Sequence, residues 1–178
     1  VMCNLGAKKA GGEYLLLLND DMEVLADCED WLDRMVGQAS LRHVGAVGAK
    51  LLYPNSTLIQ HAGVTNTISG PGHKLKGLDD TQSYYYGRNK LVYDMIGVTA
   101  ACLLIRTKVY RALGGLYEGL RVAYNDVDLC FRLCEKGLCN VQRNDVVLYH
   151  HESLSRGDDM QDEGKFKRLM EEKDVLYR

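Results

Sequence analysis

Two acidic clusters carry the residue types and spacing that can do chemistry in this chain. The first is Asn19-Asp20-Asp21, which follows four leucines with no polar residue between. Adjacent carboxylates repel each other unless a cation lies between them. Hard divalent cations prefer such oxygen ligands, and Mg²⁺ is often shared with substrate phosphates. The other reading is a solvated acidic turn that stops a strand. The second cluster is Tyr124-Asn125-Asp126-Val127-Asp128, at the start of a helical pattern. Carboxylates there cap backbone N–H groups and are favoured by the helix dipole. Capping accounts best for Asp128, inside the first turn, whereas Asp126 either caps or faces a cleft as a general base.

The elements that must position these residues follow from periodicity. The Leu15–Leu18 run predicts a short strand buried on both faces, which fits a parallel sheet covered by helices. Its end delivers Asn19, Asp20 and Asp21 to the sheet's carboxyl edge, where open α/β sheets bind ligands. Residues 27–38 read as a helix that Asp27 can cap, with a stripe of Trp31, Leu32, Met35 and Val36. Residues 44–53 and 57–65 read as strands around the turn Pro54-Asn55-Ser56. Residues 66–90 keep no periodicity and read as a long loop holding Tyr84, Tyr85 and Tyr86. A strand centred on 99–105 follows, then a short helix that Thr107 can cap and Gly114-Gly115 ends. Residues 127–136 form the clearest later helix, with an inner stripe of Val127, Cys130, Phe131 and Cys134 and a stop at Gly137. Val141 and residues 146–149 read as two short strands. The tail from Met160 reads as a helix carrying Phe166, Leu169, Met170 and Lys173. The alternation predicts an α/β fold with a mixed, mostly parallel sheet flanked by helices. The chain reads as a single domain, with a core over 1–157 and a helical tail over 158–178.

Composition sets outer limits. The 178 residues are 46% hydrophobic and 26% charged, ordinary for a globular domain with a real core. A net charge of −2 gives no basic footprint for nucleic acid. The longest apolar stretch, 96–105, is strand-sized and too short to span a bilayer. No signal-peptide pattern is present, but the chain opens mid-pattern at Val1, so it reads as a fragment and upstream targeting stays open. The six cysteines form no C-x-x-C pair and have no zinc-type histidine spacing, so they read as small buried apolar residues in a reducing compartment.

Several ordered blocks resemble glycosyltransferase family 2, whose members share the GT-A fold. They run from Asn4 to Asp21, Val44 to Leu51, Gln60 to Val64, Thr99 to Arg106, Leu113 to Gly115, Tyr124 to Cys130, and His150 to Gly157. The resemblance implies a metal-dependent, inverting transfer of sugar from a nucleotide-diphosphate sugar, with a UDP- or dTDP-sugar as the common donor. The acceptor would be a hydroxyl of a glycan or lipid-linked molecule in cell-surface polysaccharide synthesis. It places Asp21 at the last position of the family's D-x-D motif, on a Mn²⁺ or Mg²⁺ ion. Asn19 stands where many members have the first Asp, able to bond ribose or a metal-bound water, and Asp20 takes a secondary donor-binding role. Asp126 matches the catalytic carboxylate that removes the acceptor's proton, and Asn125 replaces its usual acidic predecessor.

His150 matches a histidine that completes the metal shell in some members, with His151 as the competing choice. Ser153, Ser155 and Arg156 match a loop that closes over donor phosphates. Gly114-Gly115 with Glu118 resembles a turn beside the acceptor, although Leu116 and Tyr117 depart from its pattern. His61 reads as a satisfied strand residue. His73 and Tyr84–Tyr86 read either as an acceptor platform or as a polar loop. The family's nucleotide-binding strands would precede this chain, so the 178 residues alone are expected to bind donor weakly and to expose the Leu15–Leu18 edge to self-association. The implied location is the cytoplasm, or the periphery of the membrane's inner face. The alternative is a non-catalytic nucleotide- and metal-binding module of a larger synthase.

Overall fold

The computed structural model describes residues 2–68, 70–151 and 163–177. Its helices are α1 (Met2–Lys9), α2 (Trp31–Ala39), α3 (Thr107–Ala112), α4 (Asn125–Glu135) and α5 (Glu163–Leu176). Its strands are β1 (Tyr14–Leu18), β2 (Met22–Val24), β3 (Val44–Leu52), β4 (Ile59–His61), β5 (Val64–Thr67), β6 (Gly70–His73), β7 (Val92–Met95), β8 (Cys102–Arg106) and β9 (Cys139–His150).

The main sheet runs β1-β8-β3-β9-β2, with β4 paired to β3 and β7 to β9, while β5 and β6 form a separate hairpin. The mixed sheet flanked by helices is as expected, but its parallel share is small. Only β3 and β9 run parallel, and the pairs β1·β8, β2·β9, β3·β4, β3·β8 and β7·β9 are antiparallel.

The strand buried on both faces is β3, where all nine positions are buried. It lies between β8 and β9, so both its edges are paired. The leucine run is instead an edge strand. β1 pairs only with β8 among the described residues, and Leu18 stays 45% exposed. Alternation sorts the core onto the sheet's two faces. Cys102 and Leu104 pack with Met35 and Ala39 of α2 on one face. Leu103 and Ile105 pack with Ala7 of α1, Tyr110 of α3, and Leu129 and Leu133 of α4 on the other.

Several boundaries differ from expectation for identifiable reasons. α2 begins after Asp30, and no side chain caps it. The 57–65 strand breaks into β4 and β5 at Gly63, whose φ of +102° turns the chain. The supposed loop over 66–90 begins with the β5–β6 hairpin and is pinned by a buried network. Lys50 Nζ donates to Asp80 Oδ2 and to Asn89 O at 2.8 Å each, and Asn89 Nδ2 donates to Asp80 Oδ1 at 3.0 Å.

The two short strands expected over 141–149 are one long strand, β9. Its polar middle is a bulge, since Ala49 pairs with Arg143 and the next residue, Lys50, pairs with Val147. Asn144 is buried there, donating from Nδ2 to Arg88 O at 2.6 Å. On α5 the inward residues are Leu169, Glu172, Lys173 and Leu176, whereas Phe166 and Met170 face outward. Among the described residues, no helix is long and apolar enough to cross a membrane. All six cysteines are free; Cys28, Cys102 and Cys130 are buried as expected, but Cys3 and Cys134 are exposed. Burial pushes the Cys102 thiol up to about 12.

Candidate functional site

A cleft of about 970 Å³ opens at the carboxyl end of β1. Asn19, Gln60, His73, Lys76, Asp126 and His150 all line it. Strand register brings these separate segments together. β1 and β8 pair so that Leu18 faces Cys102, and the next residue continues the ladder, with Asn19 N donating to Ala101 O at 3.0 Å. β2 and β9 pair with Met22 opposite His150, which puts the preceding Asp21 against the His150 ring. His151 N then donates to Asp21 O at 3.0 Å, fixing the backbone of the acidic turn.

Asp21 Oδ1 lies 3.2 Å from His150 Nε2. That oxygen is buried and has no hydrogen-bond partner among the described residues. Asn19 Nδ2 lies 3.2 Å from the same ring nitrogen. Neighbouring ligands in an octahedral Mg²⁺-sized shell, with bonds of about 2.1 Å, sit roughly 3 Å apart. An orphaned carboxylate oxygen at that spacing from an imidazole nitrogen fits a divalent cation, and a nitrogen ligand suits Mn²⁺ better than Mg²⁺. Among the described residues no group of three or more His, Cys, Asp or Glu could hold a metal. The pair therefore fits an ion whose remaining ligands come from water and substrate oxygens, not from a closed protein cage.

His151 is not part of this pair. Its ring points to the surface, with Nε2 2.8 Å from Glu23 Oε2. Period-two alternation separates the two histidines, as expected of adjacent strand residues. Asp20 is exposed in the turn between β1 and β2. Arg156, with Ser153 and Ser155, lies outside the described residues.

Asp126 approaches the cleft from the start of α4. The chain enters that helix through Tyr124 in a left-handed conformation, φ +60°. Asp126 Oδ2 accepts the Ala100 N–H at 2.9 Å, and Oδ1 accepts the Val127 N–H at 2.9 Å. Each oxygen keeps a further lone pair. Because Ala100 precedes the residue that binds Asn19, a short path of backbone bonds ties the two acidic clusters along the cleft floor. Gly48 lets this segment sit close to β3, since a Cβ there would lie 2.5 Å from Val98 Cβ.

Asp128 is held within the fold, but by an ion pair with Arg132 one turn along the helix and not by the expected capping of backbone N–H groups. Arg132 Nε donates to it at 3.0 Å, and Arg132 also donates to Leu113 O and Gly115 O at 2.8 Å each. Glu118 lies with Asn4 in a separate pocket, accepting from Asn4 Nδ2 at 3.0 Å.

Gln60 and Glu172 had no assigned role in the sequence reading. Gln60 touches His150 directly; its place at the start of the Gln60–Val64 block and its polarity within a strand were the available signals. Glu172 of α5 is buried, and its carboxylate accepts the N–H groups of Arg121, Val122 and Ala123, at 2.6 Å for Ala123. Leu169 of the same helix lines the cleft, so α5 forms part of its wall. His61 is fully buried, with Nδ1 2.8 Å from His73 Nδ1. Burial, and then the nearby His73, hold its pKa well below the usual imidazole value.

No family model matches the chain. It is 42% identical over 179 residues to the uncharacterized protein y4gI of Sinorhizobium fredii, an alignment covering 98% of this chain and 19% of that protein. It is 43% identical over 155 residues to O-antigen biosynthesis protein RfbC of Myxococcus xanthus, covering 86% of this chain and 12% of that one. The chain thus spans less than a fifth of the length of these curated relatives.

Two solved structures share its architecture. One is the mannosyltransferase PcManGT from Pyrobaculum calidifontis in complex with GDP-Man and Mn²⁺, with a TM-score of 0.60 and 14% identity over 98% of this chain and 46% of that one. The other is GalNAc-T7 with UDP, GalNAc and Mn²⁺, with a TM-score of 0.65 and 14% identity over 96% of this chain and 33% of that one. The mixed sheet, its flanking helices and these likenesses identify the fold of the chain as that of the GT-A glycosyltransferases.

Proposed function

We propose that this cleft transfers a sugar, with inversion, from a nucleotide-diphosphate donor to a hydroxyl of a glycan or lipid-linked acceptor. One observation carries the reading: His150, whose Nε2 lies 3.2 Å from a buried, orphaned Asp21 oxygen, lines the same cleft as Asp126, although the three residues are far apart in sequence. Asp21 and His150 would hold Mn²⁺ or Mg²⁺, which when bound stabilises the charge that the departing nucleoside diphosphate gains. Asn19 stands beside them to accept or donate a hydrogen bond to the donor's ribose or a bound water. Asp20 and Arg156 complete the donor contacts in this reading. Asp126 takes the acceptor's hydroxyl proton as that oxygen bonds to the anomeric carbon, and the bond from that carbon to the diphosphate oxygen breaks. Base catalysis of this kind contributes about 10²–10⁴-fold.

The neighbours bind GDP-Man in one case and UDP with GalNAc in the other. Guanosine donors therefore join the uridine and deoxythymidine donors implied by the sequence. The relative named for O-antigen biosynthesis supports a cell-surface polysaccharide as the product, made in the cytoplasm or at the inner face of the membrane. Self-association through the outer edge of β1 belongs to the same reading.

The competing function is a module that binds nucleotide and metal without transfer. The two backbone bonds at Asp126 favour it, since a carboxylate that only braces the fold would also make them. The deciding experiment measures nucleoside diphosphate release by the full-length protein with UDP-, dTDP- and GDP-sugars. We expect release that requires Mn²⁺ or Mg²⁺ and falls about 10²–10⁴-fold in Asp126→Asn. Metal-dependent nucleotide binding with no turnover of any donor would instead support the binding module.

A further inference from the structure

We propose that Gln60 is a positioning residue that fixes the tautomer of His150, so that an unprotonated Nε2 lies beside Asp21 and can ligate a cation. The inference rests on the cation reading of Asp21 and His150 and names the residue that prepares it.

Two hydrogen bonds between the same two residues carry the argument. Gln60 Nε2 lies 3.3 Å from the backbone carbonyl of His150, and Gln60 Oε1 lies 2.7 Å from His150 Nδ1. A carbonyl oxygen only accepts, so the amide nitrogen must be the end that faces it. The amide oxygen is then the end at the ring, and it also only accepts. Nδ1 must therefore carry the proton. In a neutral imidazole one nitrogen donates and the other accepts, which leaves Nε2 with its lone pair outward.

That unprotonated nitrogen accepts from Asn19 Nδ2 at 3.2 Å, a bond consistent with the same tautomer and one that a cation would replace, and it lies 3.2 Å from the orphaned Asp21 Oδ1. Two electron-rich atoms at this distance, with no proton between them, are stabilised by a cation. The opposite tautomer would satisfy Asp21 with an N–H and close the site. Gln60 suits the task because it sits on a strand held on two sides. β4 pairs with β3, and Ile59 exchanges backbone bonds with the following loop, accepting from Gly77 N at 2.7 Å and donating to Leu78 O at 2.8 Å. Gln60 and His150 are both buried, so water does not compete readily for either bond.

The first test needs no variant and no metal. Imidazole ¹⁵N shifts of His150 in the metal-free wild-type protein should report a protonated Nδ1 and a bare Nε2. The second test titrates Mn²⁺, with and without UDP, and follows free Mn²⁺ by electron paramagnetic resonance. Loss of an outer partner of a ligating histidine typically weakens metal binding about 10–100-fold. Gln60→Leu should lose affinity by that amount. Gln60→Glu should restore it in part, because a carboxylate accepts the same Nδ1 proton but cannot donate to the His150 carbonyl. His150→Ala marks the level reached when the ligand itself is gone. An Nε2-protonated tautomer in the wild type, or equal Mn²⁺ affinity in wild type and Gln60→Leu, would overturn the role of Gln60 while leaving the cation site standing. If the wild-type protein binds no Mn²⁺ even with UDP, the cation reading falls and takes this role with it.

Discussion

At the scale of single residues, Asp126 and Asp128 start the same helix but make different bonds. Asp128 is held by Arg132, whose other nitrogens reach the carbonyls of Leu113 and Gly115. Asp126 reaches across to Ala100 on the cleft floor. We expect Asp128→Asn to lower stability by under about 1 kcal/mol, since partly exposed helical ion pairs contribute little, and to leave turnover of the full-length protein near wild type. Asp126→Asn should do the reverse. Paired denaturation and turnover measurements check both, and equal loss of turnover in the two variants would remove the distinction. That Asn19, Asp126 and His150 would meet in one cleft was anticipated in the sequence, the first two from their places at a strand end and a helix start and His150 from the family resemblance. Gln60 was not, because an amide in a strand has no chemistry of its own until its partner is known. Which of His150 and His151 turns inward depended on the β2–β9 register, which composition does not encode.

At the scale of elements, α4 and β3 were placed from the sequence, but their buried positions were not: α4 buries Val127, Leu129, Cys130 and Leu133 and exposes Cys134 of the expected stripe, and complete burial belongs to β3 and not to the leucine run. Errors gathered where tertiary pairing overrides local pattern. The 143–145 segment was left out of the two short strands expected around it, yet Arg143 Nε donates to Asp145 Oδ1 at 2.9 Å and Asn144 bonds to Arg88 O inside a bulged strand. The supposed loop over 66–90 is held by buried Lys50, only 1% exposed, against Asp80. This pair has an asymmetry that can be tested. Removing the carboxylate with Asp80→Ala strands a buried ammonium, a loss of about 3–5 kcal/mol. Lys50→Met leaves Asp80 with Lys90, 2.9 Å away, and with Asn89, so it should cost clearly less. Urea unfolding of the two variants checks the order, and equal losses would mean that the pair does not share its burden as the distances indicate. A third element-scale case is Gly48→Ala. The added Cβ meets Val98 Cβ itself, which no rotamer change can move, so strain of about 1–3 kcal/mol is expected. The Ala100 contact to Asp126 lies two residues away and should loosen with it.

At the scale of the whole molecule, the cleft joins parts of the fold that are stabilised separately, and its histidines couple that stability to pH. His61 is fully buried beside His73 and stays neutral in the native state, with Gln142 opposing the downward shift of its pKa. In the unfolded chain the same imidazole titrates near 6.5. Below that pH the unfolded state takes up a proton that the native state does not. Unfolding then becomes easier as pH falls, by at most about 1.4 kcal/mol per pH unit for one group. Above 6.5 both states are neutral and His61 adds no slope. The lower limit of the window is the depressed native pKa, where His61 would protonate in place. Urea midpoints between pH 7.5 and 5.5 should therefore be flat at first and then fall. His61→Gln, which keeps a polar partner for His73 without a proton equilibrium in this range, should flatten the lower part. A fall of equal steepness in that variant would place the pH sensitivity elsewhere, in a group outside the His61–His73 contact.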